Sequence, residues 1–343
     1  MEDVARRAGV ALGTVSNVLN RPQKVSTKTS ERVLRAIEEL GFVPNRAARV
    51  LAAGSSSTIG FVVVDLSNSF FLDMTRGAQR QAASLSMNLL LANSDVDLER
   101  EREYLELFAE ERVAGVLLAP VGSAPFDMAS VKPLTLPTVL LNSEPTDEAC
   151  TVSVDDELGG YLATQHLLAS GRRRLMFAGD PSFAPPVGHR YSGARRAVEE
   201  VAGATLQLVS TAEVQAEDGR EVGRGILEHS VGERPDGVVA ASDLLALGIL
   251  QSLLSGGVRI PRDIAVTGYD NNRSAWSSEI PITTLDQPGE EMGAVATRML
   301  LDELREGAAH EHEHTVLKPR LIVRASSSDN WAAADFSPRG SAR

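Results

Sequence analysis

From Thr58 onward the chain alternates short apolar runs with stretches of helical period, and few folds accept that pattern. Ile59–Asp65 reads as a buried strand, Leu72–Ser86 as a helix and Met87–Ala92 as a strand. The cycle continues through Glu99–Glu111, Val113–Ala119, Thr138–Leu141 and Thr151–Val154. A second set follows in Leu175–Gly179, Gly188–Ala202, Gly237–Ala241, Asp243–Leu254 and Ile264–Tyr269. Apolar runs of four to seven residues suit strands buried on both faces, and strands separated by helices pair in parallel. Two such sets predict an α/β core of two doubly wound parallel sheets. Ligands of such sheets bind beyond the carboxyl ends of the strands, so a cleft between two of them gathers polar side chains from both.

The first 54 residues read differently. Glu2–Ala8 can form a short helix that buries Val4, Ala5 and Ala8, with Gly9 placed to end it in the left-handed conformation. Thr14–Leu19 can form a second, presenting Val15, Val18 and Leu19 on one side, and Gly9–Leu12 is then the tight turn of a helix-turn-helix. A third helix is predicted from an N-cap at Ser26 to Leu40, stopped by Gly41 and Pro44. Charge divides at the same place. The whole chain carries 34 basic and 46 acidic side chains, net −12, which as an average argues against a nucleic-acid partner. Residues 1–54 hold nine basic and five acidic side chains, net +4, which leaves 25 basic and 41 acidic, net −16, to the rest. A basic module joined to an acidic one is a nucleic-acid signal that the total conceals.

Asp3-Val4-Ala5-Arg6-Arg7-Ala8-Gly9-Val10, Thr14-Val15-Ser16-Asn17-Val18-Leu19-Asn20, Val25-Ser26 and Gly41-Phe42-Val43-Pro44-Asn45 resemble, in order and spacing, the headpiece of the lactose-repressor (LacI/GalR) family of bacterial transcription regulators. The resemblance runs through nearly the whole chain and fades after about Ser328. It implies that Leu12, Gly13 and Asn17 read bases. Asn17 suits the paired contact to adenine and Leu12 a thymine methyl, although Leu12 also admits a pure packing role. Thr14, Ser16 and Asn20 suit phosphates. Asn45–Ala52 resembles the family's hinge helix, which orders on DNA: Leu51 would be the minor-groove wedge, Ala48 would permit close approach, and Asn45, Arg46 and Arg49 would lie along the backbone. Two departures stand out. Ala11 replaces the usual serine cap, and the few residues that usually precede Asp3 are missing, leaving either an uncapped first helix or a true start upstream.

By the same resemblance the core is of periplasmic-binding-protein type I architecture, with Phe70, Phe71, Asp155, Arg190, Asp270 and Gln287 at positions that line the effector cleft. Carboxylates, an amide and a guanidinium suit vicinal hydroxyls, and an aromatic face packs on C–H groups, which points to a small hydroxylated effector such as a sugar. Asp155 and Asp243 serve equally well as helix caps. Asp218 falls where some sugar-binding relatives hold an aromatic, with Trp276 or Phe183 as the alternative stacking surface. The expected division is a headpiece over 1–44, hinge and linker over 45–57, core over 58–328 and a disordered tail over 329–343. Within the core, one subdomain takes about 58–155 and 288–308 and the other about 156–287 and 309–328.

Other chemistry is weaker. His310-Glu311-His312-Glu313-His314 could place three histidines on one strand face, but it reads as a solvated loop before the last strand, so no metal site is expected. Gly159-Gly160 and Gly223-x-Gly225 lack the strand-then-glycine placement of a dinucleotide fingerprint, no nucleophile elbow or phosphate loop is present, and the single cysteine, Cys150, has no histidine near it in sequence. Neither cofactor nor enzymatic activity is expected. With no secretory leader and no membrane-length apolar run, the expectation is a cytoplasmic homodimer, without leucine heptads for tetramerisation, that binds operator DNA and a small effector. A regulator tuned by a protein partner or a non-sugar metabolite is the alternative. A transporter's solute-binding protein shares the core but not the headpiece.

Overall fold

The computed structural model describes residues 1–42, 56–122 and 136–329. The chain forms two compact units, residues 1–56 and 57–343.

The first unit holds three helices, α1 (Glu2–Ala8), α2 (Leu12–Asn20) and α3 (Thr27–Glu39). Val4, Ala5 and Ala8 of α1 meet Val15 and Val18 of α2 and Val33 and Ala36 of α3 in one small core. Gly9 ends α1 at φ 61°, where a side chain is costly, and this reversal makes the short turn into α2 possible. Ser26 is the N-cap residue of α3, although its hydroxyl donates to Thr29 Oγ1 at 2.9 Å. The caps of α1 and α2, Met1 and Ala11, have no side-chain hydrogen bond. Arg7 ties α1 to Glu39 of α3 at 2.6 Å, a solvent-exposed pair of small energetic weight.

The second unit begins with β1 (Thr58–Val63), α4 (Ser69–Ser84), β2 (Asn88–Asn93), α5 (Leu98–Glu110), β3 (Val116–Leu118), β4 (Thr138–Leu141) and β5 (Cys150–Val154). The chain then crosses to α6 (Asp156–Ala169), β6 (Arg174–Ala178), α7 (Pro185–Glu199), β7 (Thr205–Val209), α8 (Ala216–Glu228), β8 (Gly237–Ala240), α9 (Asp243–Ser255), β9 (Ala265–Thr267) and the short α10 (Arg273–Ser277). It closes with β10 (Thr284–Asp286), α11 (Gly289–Glu306), β11 (His314–Leu317) and β12 (Arg320–Ile322). The first sheet runs β11-β5-β4-β3-β1-β2 and the second β7-β6-β8-β9, both parallel, while β10 and β12 form an antiparallel pair.

Alternation along β1 sends Ile59, Phe61 and Val63 to the face covered by α4 and α11, and Val62 to the face covered by α5. The second sheet has its own core, built from β6, β8 and β9 against α6, α7 and α9. Both sheets reverse strand order beside their first strand: β1 lies between β2 and β3, and β6 between β7 and β8. Loops leaving such a strand and its neighbour run to opposite faces and open a crevice at the carboxyl edge. The expected subdomain division needs one correction. β11 pairs with β5, Thr315 opposite Val152, so the first half of the 309–328 segment completes the first sheet, and the crossing falls between Leu317 and Arg320. The parallel hydrogen-bonded pairing of edge strand β11 with β5 sets the boundary there.

Candidate functional site

In the headpiece, α2 buries Val15 and Val18 and turns Gly13 and Asn17 outward, both exposed. Leu12 is 46% exposed and stands apart from the three-helix core, so packing does not account for it. Thr14 and Ser16 flank this face, half-buried. An exposed apolar side chain, a glycine and an amide on the first turns leave the helix surface free to approach base edges. The expected hinge residues Asn45, Arg46, Ala48, Arg49 and Leu51 lie outside the described residues.

In the core, a cavity of about 360 Å³ opens where the carboxyl ends of the two sheets face each other. Asp65 arrives from the end of β1, Asn68, Phe70 and Phe71 from the start of α4, and Asn142–Glu144 from the end of β4. The second sheet supplies Phe183–Val187 and Arg190 around the start of α7, Gln215 ahead of α8, Ser242 and Leu244 around the start of α9, and Asp270 beyond β9.

Arg190 and Asp270 form the polar floor. Burial leaves the guanidinium 8% exposed. Its Nε donates to Asp156 Oδ1 at 2.7 Å, its Nη1 donates to the Ala241 carbonyl at 2.7 Å, and its Cζ lies over the Tyr269 ring, 3.7 Å from the ring centre. Those contacts hold the planar group in one orientation. Asp270 adopts φ 105° and is buried. It accepts from Asn68 Nδ2 at 2.7 Å and from Gln287 Nε2 at 2.6 Å, with Arg190 Nη1 at 3.9 Å. Desolvation raises it to about 6, against the opposing pull of Arg190 and the two amide donors. Non-glycine residues seldom occupy such a φ, and here several contacts together hold the carboxyl in place.

Asp270 is also where the halves meet. Asn68 belongs to the first half and Asp270 to the second. Gln215 Nε2 donates to Asp65 Oδ2 at 3.0 Å, and the Arg273 amide donates to Ser69 Oγ at 3.0 Å. A molecule placed between these groups would compete with direct contacts between the halves, so binding and relative disposition are coupled through the same atoms.

Of the residues expected at the cleft, Phe70, Phe71, Arg190 and Asp270 line it. Three do not. Asp155 caps α6, accepting from the Leu158 amide at 2.9 Å, and the neighbouring Asp156 reaches Arg190 instead. Gln287 is fully buried and acts on Asp270 from behind. Trp276 sits on α10 away from the cavity wall, and Phe183 is the aromatic that the second half contributes. Asp218 accepts from the Glu213 amide and lines a different hollow. Asp243 accepts from the Asn272 amide, while Ser242 caps α9. Asn68 and Asn142 carry no signal beyond their place after apolar runs, and Gln215 carries none. The glycine pairs also resolve: a methyl on Gly160 would overlap the Arg190 carbonyl and one on Gly193 the Glu157 carbonyl, so both let α6 and α7 touch backbone to backbone.

Comparison with known proteins decides between readings of this architecture. Residues 1–45 match the model of bacterial regulatory proteins of the lacI family, and residues 164–327 match a periplasmic binding protein-like domain. The transcriptional regulator RegA of Clostridium saccharobutylicum is 35% identical over 95% of this chain and 98% of its own length. The chain belongs to the LacI family of transcriptional regulators. The ribose operon repressor of Escherichia coli (strain K12) is 32% identical over 95% and 99%. Among solved structures, a transcriptional regulator CelR–cellobiose complex is 32% identical over 95% of this chain and 99% of its own, with a TM-score of 0.68. The lac repressor dimer bound to operator is 24% identical over 95% and 98%, TM-score 0.79, and shows the shared fold. The protein is a DNA-binding regulator and not an enzyme. Among the described residues no helix is long and apolar enough to cross a membrane.

Proposed function

We propose that this LacI-family protein is a cytoplasmic repressor that binds a pseudo-palindromic operator as a homodimer and releases or tightens on it when a small sugar enters the core cleft. The observation that carries the sugar reading is the floor of the cavity. There a fixed guanidinium and a buried carboxyl lie side by side, with Phe70, Phe71 and Phe183 in the same lining. Such a set suits the hydroxyls and the C–H faces of one sugar ring together. A cavity of about 360 Å³ falls in the range of small-ligand sites. Supporting relatives include the cellobiose complex already named and a family member from Enterococcus faecium solved with bound ribose, 27% identical with a TM-score of 0.69.

On the DNA, Leu12, Gly13 and Asn17 read bases, and Thr14, Ser16 and Asn20 hold phosphates. Asn45, Arg46, Ala48 and Arg49 support a hinge helix whose Leu51 enters the minor groove. The test is electrophoretic retention of the promoter DNA of the operon that the protein controls, with and without a panel of pentoses, hexoses and disaccharides. Retention that one sugar changes supports the proposal, and DNA binding indifferent to every sugar that stabilises the core would overturn it. Leu51→Ala should weaken retention, and unchanged affinity would remove the wedge.

A further inference from the structure

Cys150 and the histidines of the 310–314 run are 160 residues apart and meet at one edge of the first sheet. β11 lies along β5 with His314 opposite Thr151, which lays the approach to β11 over Cys150, the first residue of β5. The run is the expected loop before β11, with Glu311, Glu313 and His314 exposed, but two of its histidines turn inward: the His310 side chain is 7% exposed and His312 half-buried. Cys150 Sγ stands 3.2 Å from His310 Nε2 and 3.8 Å from His312 Nδ1, and the three atoms lie within 4.8 Å of one another. A tetrahedral Zn²⁺ with bonds of about 2.3 Å to sulfur and about 2.05 Å to nitrogen separates those ligand atoms by about 3.6 Å. The two observed separations bracket that value.

The surroundings are those that metal-bound imidazole and thiolate need. His310 Nδ1 lies 2.9 Å from Glu306 Oε2, so Nδ1–H donates to the carboxylate and the Nε2 lone pair faces the sulfur. The Glu313 amide donates to Cys150 Sγ at 3.3 Å, a contact that favours the thiolate. Glu303, on the last turns of α11, holds Oε2 out of solvent with no hydrogen-bond partner among the described residues. A nucleophilic role does not fit, because Cys150 is fully buried and out of a substrate's reach.

We propose that Cys150, His310 and His312 form a three-ligand Zn²⁺ site, its fourth position open to water, that staples the connection from α11 to β11 onto β5. A thiolate and two imidazoles are a borderline-soft set that prefers Zn²⁺ to Mg²⁺ or Ca²⁺. The site is separate from the cleft, but β11 runs on into the last crossing between the sheets.

The test uses the full chain, freed of metal with a chelator and titrated with Co²⁺ as a spectroscopic probe. One equivalent should bind with the near-ultraviolet thiolate-to-cobalt band and the visible bands of tetrahedral Co²⁺, and Zn²⁺ should displace it and raise Tm. His312→Gln, at a half-buried position, should abolish one-equivalent uptake while the fold persists, and Cys150→Ser should remove the thiolate band. Glu306→Gln should weaken affinity about ten- to a hundredfold, the usual effect of losing the carboxylate behind a ligating histidine. Absence of the thiolate band in the unaltered protein, an octahedral Co²⁺ spectrum, or equal uptake by His312→Gln would overturn the site.

Discussion

Asp156→Asn isolates the electrostatics of the cleft floor with little change of shape. Asp156 and Arg190 are 3% and 8% exposed at the side chain, and their 2.7 Å contact is the shortest ion pair that the guanidinium makes. Asparagine keeps an oxygen for Nε–H but deletes the charge, leaving Arg190 with Asp270, at 3.9 Å, as the remaining anion. Breaking a buried pair by removing one charge costs about 3–5 kcal/mol, because the other stays desolvated. Two features place this case at the low end, about 3 kcal/mol: the retained acceptor, and relief of the repulsion that Asp156 exerts on Asp270. With a urea m-value of about 3 kcal/mol/M, the midpoint of core unfolding should fall by about 1 M. Circular dichroism follows the midpoint, and thermal shift with the effector sugar should show that ligand stabilisation is lost as well. The double variant Asp156→Leu with Arg190→Met, which leaves no buried charge, should be more stable than Asp156→Asn alone. A midpoint change below about 0.3 M, or a double variant less stable than the single, would refute the picture of a desolvated pair.

Asn17→Ala should weaken operator binding by about 1–3 kcal/mol, chiefly at one base pair, with core unfolding unchanged; equal loss on every DNA sequence would make Asn17 a phosphate contact. Gly193→Ala, whose methyl meets the Glu157 carbonyl, should cost about 1–3 kcal/mol by urea unfolding. Gly225→Ala, where the space is open, should be neutral or stabilising, and equal behaviour of the two would remove the backbone-contact reading. Glu101 is buried, accepts from the Val121 amide at 2.7 Å and is raised by desolvation from an ordinary 4.5 to about 7. Its folded value lies above its unfolded one, so the stability it contributes is full below pH 4.5 and is lost as pH rises through 7. Glu101→Gln keeps the acceptor and should therefore gain up to about 3 kcal/mol at pH 8 and little at pH 4.5, whereas a loss at both would contradict the cause given for the shift.

Much of this was legible where local pattern and burial agree. The apolar period of Val4, Ala5 and Ala8 and of Val15, Val18 and Leu19, with Gly9 between, describes the headpiece that forms. Runs such as Gly237–Ala240 are strands because both faces are covered. β7 escaped notice because it is an edge strand with most side chains exposed, so its sequence lacks a continuous apolar run. α11 was not among the elements read from the sequence, although Met292, Val295, Ala296, Met299 and Leu300 stand at helical spacing along its buried face. The site was harder. Asp155 and Asp156 are adjacent acids, and only the turn into α6 decides which caps and which reaches Arg190. Cys150 meets His310 and His312 through strand pairing between residues 160 apart, a relation with no local trace.

The central claim is that the cleft and the headpiece share one equilibrium, and a closed binding cycle tests it most directly. Operator affinity is measured by fluorescence anisotropy at fixed salt with and without saturating sugar, and sugar affinity by calorimetry with and without operator. Linkage requires the two ratios to be equal, and typical coupling puts them at about 5- to 150-fold. Equal ratios well away from one are the predicted result. A sugar that binds the cleft while leaving operator affinity unchanged would contradict the claim.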